Sequence, residues 1–254
     1  KNAKRVLIDR NTFENNWSDG QDGMAILFTP RNQNGASPWS TVQDVTFTNN
    51  IVRHSGGLFN ISGADSEAGP SLPAARVLIR NNLFEDIDGV KWGASDGEKA
   101  DGEFLQLTGG PLNVTVEHNT VFQSGNIVTV EGETPGFIFR NNIVPHNLYG
   151  IVGTDHIPGN DTIETFFPGI VFAKNVMVDV VDAKYPSGNF LVGNFDQVGF
   201  VNRTTGNYRL LATSLYRNAG TDGQDVGCNI DVLLGTAALS NVSAASYRGT
   251  QMTP

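Results

Sequence analysis

Two carboxylates and an imidazole, Glu131, Asp155 and His156, are the groups whose types and spacing suit acid–base chemistry. Glu131 ends a short alternating run, Ile127-Val128-Thr129-Val130-Glu131, and the next run of the same kind ends at Thr154, just before Asp155 and His156. If the two runs stack as neighbouring strands, the carboxylates come within several Å of each other. A carboxyl pair so placed, one protonated and one ionised, is what hydrolysis of a glycosidic bond requires, so these three residues are the expected catalytic set. Asp101 and Glu103, which precede the run before, are candidates to join them. A second set suits hydrogen bonding to a sugar. Asn60, Gln106 and Thr129 fall at outward positions of successive runs, with Glu103 nearby, and Trp39 and Trp92 stand in long loops where an indole can cover a pyranose face.

What positions these residues is a repeat. The phrase apolar, any, apolar, two any, Asn, any, apolar occurs six times, from Val6 to Phe13, Val45 to Val52, Val77 to Phe84, Val114 to Val121, Phe137 to Val144 and Ile170 to Met177. Its Asn residues are 11, 50, 82, 119, 142 and 175, so successive spacings are 39, 32, 37, 23 and 33. A fixed phrase at unequal spacing predicts a constant scaffold carrying loops of variable length. Alternation before the Asn is the period of a strand with one buried face. The Asn itself is expected at a sharp turn in the left-handed conformation, with a second short strand after it. None of the six has Gly after it, which argues against Asn-Gly hairpins. Each phrase is followed by a third alternating run, at 25–29, 58–62, 104–108, 127–131, 150–154 and 190–194. Three strands per turn predict an all-β chain. The expected fold is a right-handed parallel β-helix of about six to seven coils, whose Asn side chains bond coil to coil as a ladder. In the third runs the alternates of the core residues, among them Thr29 and Ser62, are expected to face out.

The Asn-bearing phrase resembles the repeat of the pectate-lyase-like right-handed β-helix superfamily over roughly residues 6–195. The tail around Gly206-Asn207-Tyr208-Arg209-Leu210 is similar to the closing segment of uncharacterised bacterial secreted β-helix proteins. The resemblance implies a fold that serves lyases, hydrolases, epimerases and passive fibres alike. Two of its activities fit poorly. The outward row has no Arg or Lys to act as base in β-elimination, and no Gly-His-Gly accompanies clustered Asp as in polygalacturonase-type hydrolysis.

Composition narrows the rest. The 254 residues carry 17 Lys+Arg against 26 Asp+Glu, a net charge of −9, which argues against nucleic-acid binding. No apolar run approaches the roughly 18 residues of a membrane span. One cysteine, Cys228, excludes an internal disulfide and a Cys-based zinc site. The acidic stretch from Asp96 to Glu103 lacks the alternation of a calcium loop, so no cofactor is expected, and Ca²⁺, the one metal the stretch could hold, is unsupported. Residues 1–200 are read as the coils and 201–254 as a closing coil and cap, with a short helix expected from Asp231 to Leu239. Only five residues precede the first repeat, so upstream coils, a further domain or another chain is expected at that end. The expectation is an extracellular or cell-surface domain that binds, and in one reading cleaves, a neutral or weakly charged polysaccharide or oligosaccharide. The alternative is a non-catalytic structural or fibre segment.

Overall fold

The structure, a computed structural model, describes residues 1–95, 100–180 and 185–235. The chain visits three parallel sheets in turn. The first holds Ala3–Asp9, Val42–Thr48, Ala75–Arg80, Leu112–Glu117, Ile138–Arg140 and Val171–Ala173. The second holds Thr12–Glu14, Ile51–Ser55, Leu83–Ile87, Thr120–Gln123, Ile143–Pro145, Val176–Val178 and Phe190–Val192. The third holds Met24–Phe28, Gly57–Ser62, Leu105–Thr108, Val128–Glu131 and Ile151–Gly153. Every neighbouring pair in these three sheets is parallel, because each strand bonds its equivalent one turn of chain later. Among the described residues no helix is long and apolar enough to cross a membrane.

The alternation read from the sequence decides what faces inward. Val6, Val45, Val77 and Val114 are in register, as are Ile8, Phe47, Ile79 and Val116, and each row points into one core. Phe47, Phe59, Phe84 and Phe104 fill its centre, with ring centroids 5.3–6.1 Å apart across their successive contacts. Edge-to-face and tilted pairs at such distances add to the gain from burial.

Between the first and second sheets the phrase Asn residues form a continuous hydrogen-bonded file. The Oδ1 of Asn82 accepts the backbone N–H of Asn50 (2.8 Å) and its Nδ2 (3.2 Å), while Asn82 Nδ2 donates to Asn119 Oδ1 and to the carbonyl of Phe47. The pattern runs from Asn11 through Asn50, Asn82, Asn119, Asn142 and Asn175. It gains a seventh member, Asn189, whose Oδ1 accepts both the N–H and the Nδ2 of Asn175 at 3.0 Å. A buried amide so placed satisfies backbone groups that a corner would otherwise leave unpaired.

Four sequence expectations need correction. The left-handed residue is not the file Asn but the one before it: Asn49, Asn81, His118 and Asn141 have φ of 56°, 54°, 53° and 59°. That residue makes the corner, which leaves the next side chain aimed inward. Phe190–Val192 pairs with Val176–Val178 in the second sheet, not with the third, so Leu191 faces out and is 47% exposed. Thr29 and Ser62 are buried rather than outward-facing. The loops that follow them are bound together beside them, with the Asp65 carboxylate accepting Asn32 N–H (2.8 Å) and Asn32 Nδ2 reaching the carbonyls of Glu67 and Gly69.

The last correction concerns the C-terminal part. From Phe195 the chain does not close the last coil. It folds back as an arm along the outer face of the second sheet. Val198, Phe200, Tyr216 and Val226 pack with Ile143, Val176 and Val178, and Ile230 and Leu233 pack on Leu83. The helical residues 230–235 therefore lie on the flank, against early coils, and 236–239 of the expected cap lie outside the described residues. The cause is the outer row Leu83, Thr120, Ile143 and Val176, too apolar for water.

Candidate functional site

Where the arm meets the corner between the first and second sheets, a groove of about 760 Å³ opens. One wall is the outward side of the corner: Thr48, Asn49, Arg80, Asn81 and His118. The other is the arm, with Arg209, Arg217, Asn218, Gln224, Asp225 and Asp231. Asn49, Asn81 and His118 are outward because their left-handed backbone turns them away from the core, and Asn81 Nδ2 donates along the stack to Asn49 Oδ1 at 2.7 Å. The arm is pinned to them at several points. Asn229 N–H donates to Asn81 Oδ1 (2.6 Å), Thr221 N–H to Asn141 Oδ1 (2.9 Å) and Gly227 N–H to the Asn141 carbonyl (2.8 Å).

The groove is rich in charge but matched within itself. Arg209 holds Asp231 Oδ1 through two nitrogens (2.6 and 2.9 Å) and Arg217 lies 3.9 Å from Asp225. Glu117, buried beside the groove, is held by Arg140 at 2.7 Å and approached by Arg80 at 3.5 Å. Planar amides and guanidinium groups fixed at a wall offer directional hydrogen bonds with little net charge. The Asp222 carboxyl is held below its ordinary range; burial works against this, but the Gln224 N–H and the neighbouring His118 outweigh it.

The outward row expected on the third sheet is present. Leu27, Asn60, Gln106, Thr129 and Val152 are in register, and Asn60 Nδ2 donates to Gln106 Oε1 at 2.7 Å. Glu103 does not join this row. It lies at the corner before the third sheet, buried, with Oε2 accepting the Asp101 N–H at 2.7 Å, and burial pushes its carboxyl above the usual range. Trp92 is at the same corner, its Nε1 donating to Asp86 (3.0 Å), its ring 5.0 Å from His54 and under the ammonium of Lys91. Trp39 is exposed on the loop after the first strand of the third sheet.

The expected catalytic residues lie at and just beyond the ends of the last two strands of the third sheet. Glu131 is exposed at the end of its strand, level with Thr154, whose N–H donates to the Val130 carbonyl. Asp155 is exposed in a left-handed turn, and no bond joins the two among the described residues. His156 turns to Asp161 on the helix Asn160–Phe166, Nδ1 to Oδ2 2.9 Å, with its ring edge-on to Phe166. That hydrogen bond, with the Ile157 N–H, holds the Asp161 carboxyl below its ordinary range. Neither Glu131 nor Asp155 lines the groove.

The groove residues left a trace in the sequence that points to only one wall. The doublets Asn49-Asn50, Asn81-Asn82, His118-Asn119 and Asn141-Asn142 set a polar residue beside each file Asn. Nothing in the pattern reveals the arm across from them. Among the described residues no cluster of three His, Cys, Asp or Glu is arranged to hold a metal ion; Asp96 and Glu98 lie outside them. No protein-family model matches the chain, and no curated protein matches it in sequence.

Proposed function

We propose that this chain is an extracellular right-handed parallel β-helix of the pectate-lyase-like kind, and that it binds a neutral or weakly charged polysaccharide in the groove under the arm. Parallel connections within a sheet are right-handed in about 98% of cases, which supports the hand. The observation that carries the binding reading is the groove itself, a concavity of about 760 Å³ walled by amides and internally paired arginines. That volume is typical of a ligand site, and its chemistry suits vicinal hydroxyls better than an anion or an apolar ligand.

Glycan-array profiling followed by calorimetric titration tests this. Arg217→Ala, which removes a guanidinium from the arm wall, is expected to weaken binding about tenfold without changing the fold. Because the arginines already face carboxylates, affinity is expected to change little between low and high salt. A steep loss with salt would mark an anionic ligand instead, and no binding by any glycan would remove the reading.

The exposure of Glu131 and Asp155, outside the groove, favours the second reading, a non-catalytic structural or surface segment, over cleavage as a glycoside hydrolase or lyase. Glu131→Gln is expected to leave both stability and glycan affinity unchanged, the latter because Glu131 lies outside the groove. If a glycan-cleaving activity is found and this substitution abolishes it, the catalytic reading is restored.

A further inference from the structure

His118 stands where the coil stack and the arm meet, with its side chain only 8% exposed. Its Nδ1 lies 3.2 Å from the carbonyl oxygen of Asp225, so that nitrogen carries a proton. Its Nε2 has two neighbours at almost equal distance and of opposite kind. Asp222 Oδ2, an acceptor, is at 3.1 Å, and Asn141 Nδ2, a donor, is at 3.0 Å. The orientation of the Asn141 amide is fixed independently, because its Oδ1 accepts the Thr221 N–H. One nitrogen cannot satisfy both partners in one state. Protonated, Nε2 donates to Asp222 and turns an N–H toward the Asn141 donor; neutral, it accepts from Asn141 and sets a lone pair against the Asp222 carboxylate.

We infer that His118 is a pH-set positioning residue of the groove, whose Nε2 grips the arm through Asp222 when protonated and releases it to Asn141 when neutral. Asp222 is the hub of the arm's turn, its Oδ1 accepting the Gln224 N–H at 3.1 Å, and Gln224 and Asp225 form part of the groove wall. Moving Asp222 therefore moves the wall. The charged groups of the two walls around the ring are Asp222, Asp225 and Arg217 on the arm, and Glu117 between Arg80 and Arg140 on the first sheet. Arg217 faces Asp225, and Glu117 is shared by Arg140 and Arg80, which leaves Asp222 as the carboxylate that faces His118. The alternative Asn141 bond, with Asn141 Nδ2 also donating to Thr221 Oγ1 at 2.9 Å, keeps the neutral ring buried and satisfied, so the coil stack is indifferent to the change.

The inference deepens the glycan-binding reading, and its test separates the two. Hydrogen exchange on the full chain, corrected for intrinsic rates, needs no ligand. The Gln224 amide, held by Asp222 Oδ1, is expected to lose about tenfold protection as the pH is raised from about 5 to about 8, while amides of Asn50, Asn82 and Asn119 hold constant. Asp222→Asn keeps the turn acceptor but removes the charge, and is expected to abolish that dependence; His118→Gln is expected to do the same. Affinity for a glycan that binds should fall with pH in parallel in the native chain and be flat in Asp222→Asn. Arm protection that is independent of pH, or a dependence that survives Asp222→Asn, overturns the inference. The exchange switch without binding by any glycan supports it and removes the functional reading alone.

Discussion

Replacing Asn82 with Leu is expected to lower the free energy of unfolding by about 3–4 kcal/mol. Asn82 is fully buried and sits in the middle of the file. Without its side chain, the Asn50 N–H and Nδ2 lose their acceptor, and the Phe47 carbonyl loses a donor. Water has no route to these groups, so each bears its full desolvation cost, whereas the added apolar contact of Leu is small in a space shaped for an amide. Thr46→Ala is the control, because Thr46 is an outward alternate of its strand, between the buried Val45 and Phe47. Urea denaturation of the two variants measures the difference. A loss under about 1 kcal/mol for Asn82→Leu would mean the file is incidental to stability.

The second large effect concerns the arm. Ile143→Asp is expected to detach residues 195–235 from the second sheet and to weaken glycan binding at least a hundredfold, while the coil stack stays folded. Ile143 faces outward from its strand yet is only 1% exposed, because the arm covers it; a Cβ on Gly227 would lie 2.6 Å from its Cδ1. A carboxylate there would be buried among apolar side chains, at a cost of about 3 kcal/mol or more, roughly the hundredfold shift between docked and released arm. Limited proteolysis should then cut within 195–227 first. Val152→Asp, at the half-exposed outer row of the third sheet where no arm lies, should leave both binding and protease resistance intact. Retained binding in Ile143→Asp would show that the ligand site does not need the arm.

These two positions show what the sequence alone could reveal. Asn82 was legible because the file has a period: each Asn bonds its equivalent one coil away, so the same phrase must return whenever the chain does. The strand alternation of Val77 and Ile79, and the fixed place of Phe84 two residues after the Asn, follow from that same local geometry. Which residue of Asn81-Asn82 takes the left-handed corner was not legible, since both tolerate it; burial decides, because only the second can aim inward.

The surroundings of the expected acid–base set were legible only in part, for a related reason. Strand register did place Glu131 level with Thr154, but where Asp155 and His156 turn depends on the helix Asn160–Phe166 and its Asp161. Loop residues beyond the last paired position are free of the repeat, and their direction is set by whatever packs next to them.

By itself, then, the sequence determined the stacked three-strand coils, their inward rows and the buried amides at one corner, because those depend on residues that meet their own equivalents in neighbouring coils. Only the tertiary structure decided that Phe190–Val192 joins the second sheet, that the arm returns along its outer face, and that a groove forms between them. Asn229 meets Asn81 across 148 residues of chain, and Asp222 meets His118 across 104. Such contacts rest on the fit of one apolar outer row to one non-repeating segment, and a fit between two surfaces that each occur once leaves no period in the sequence to read.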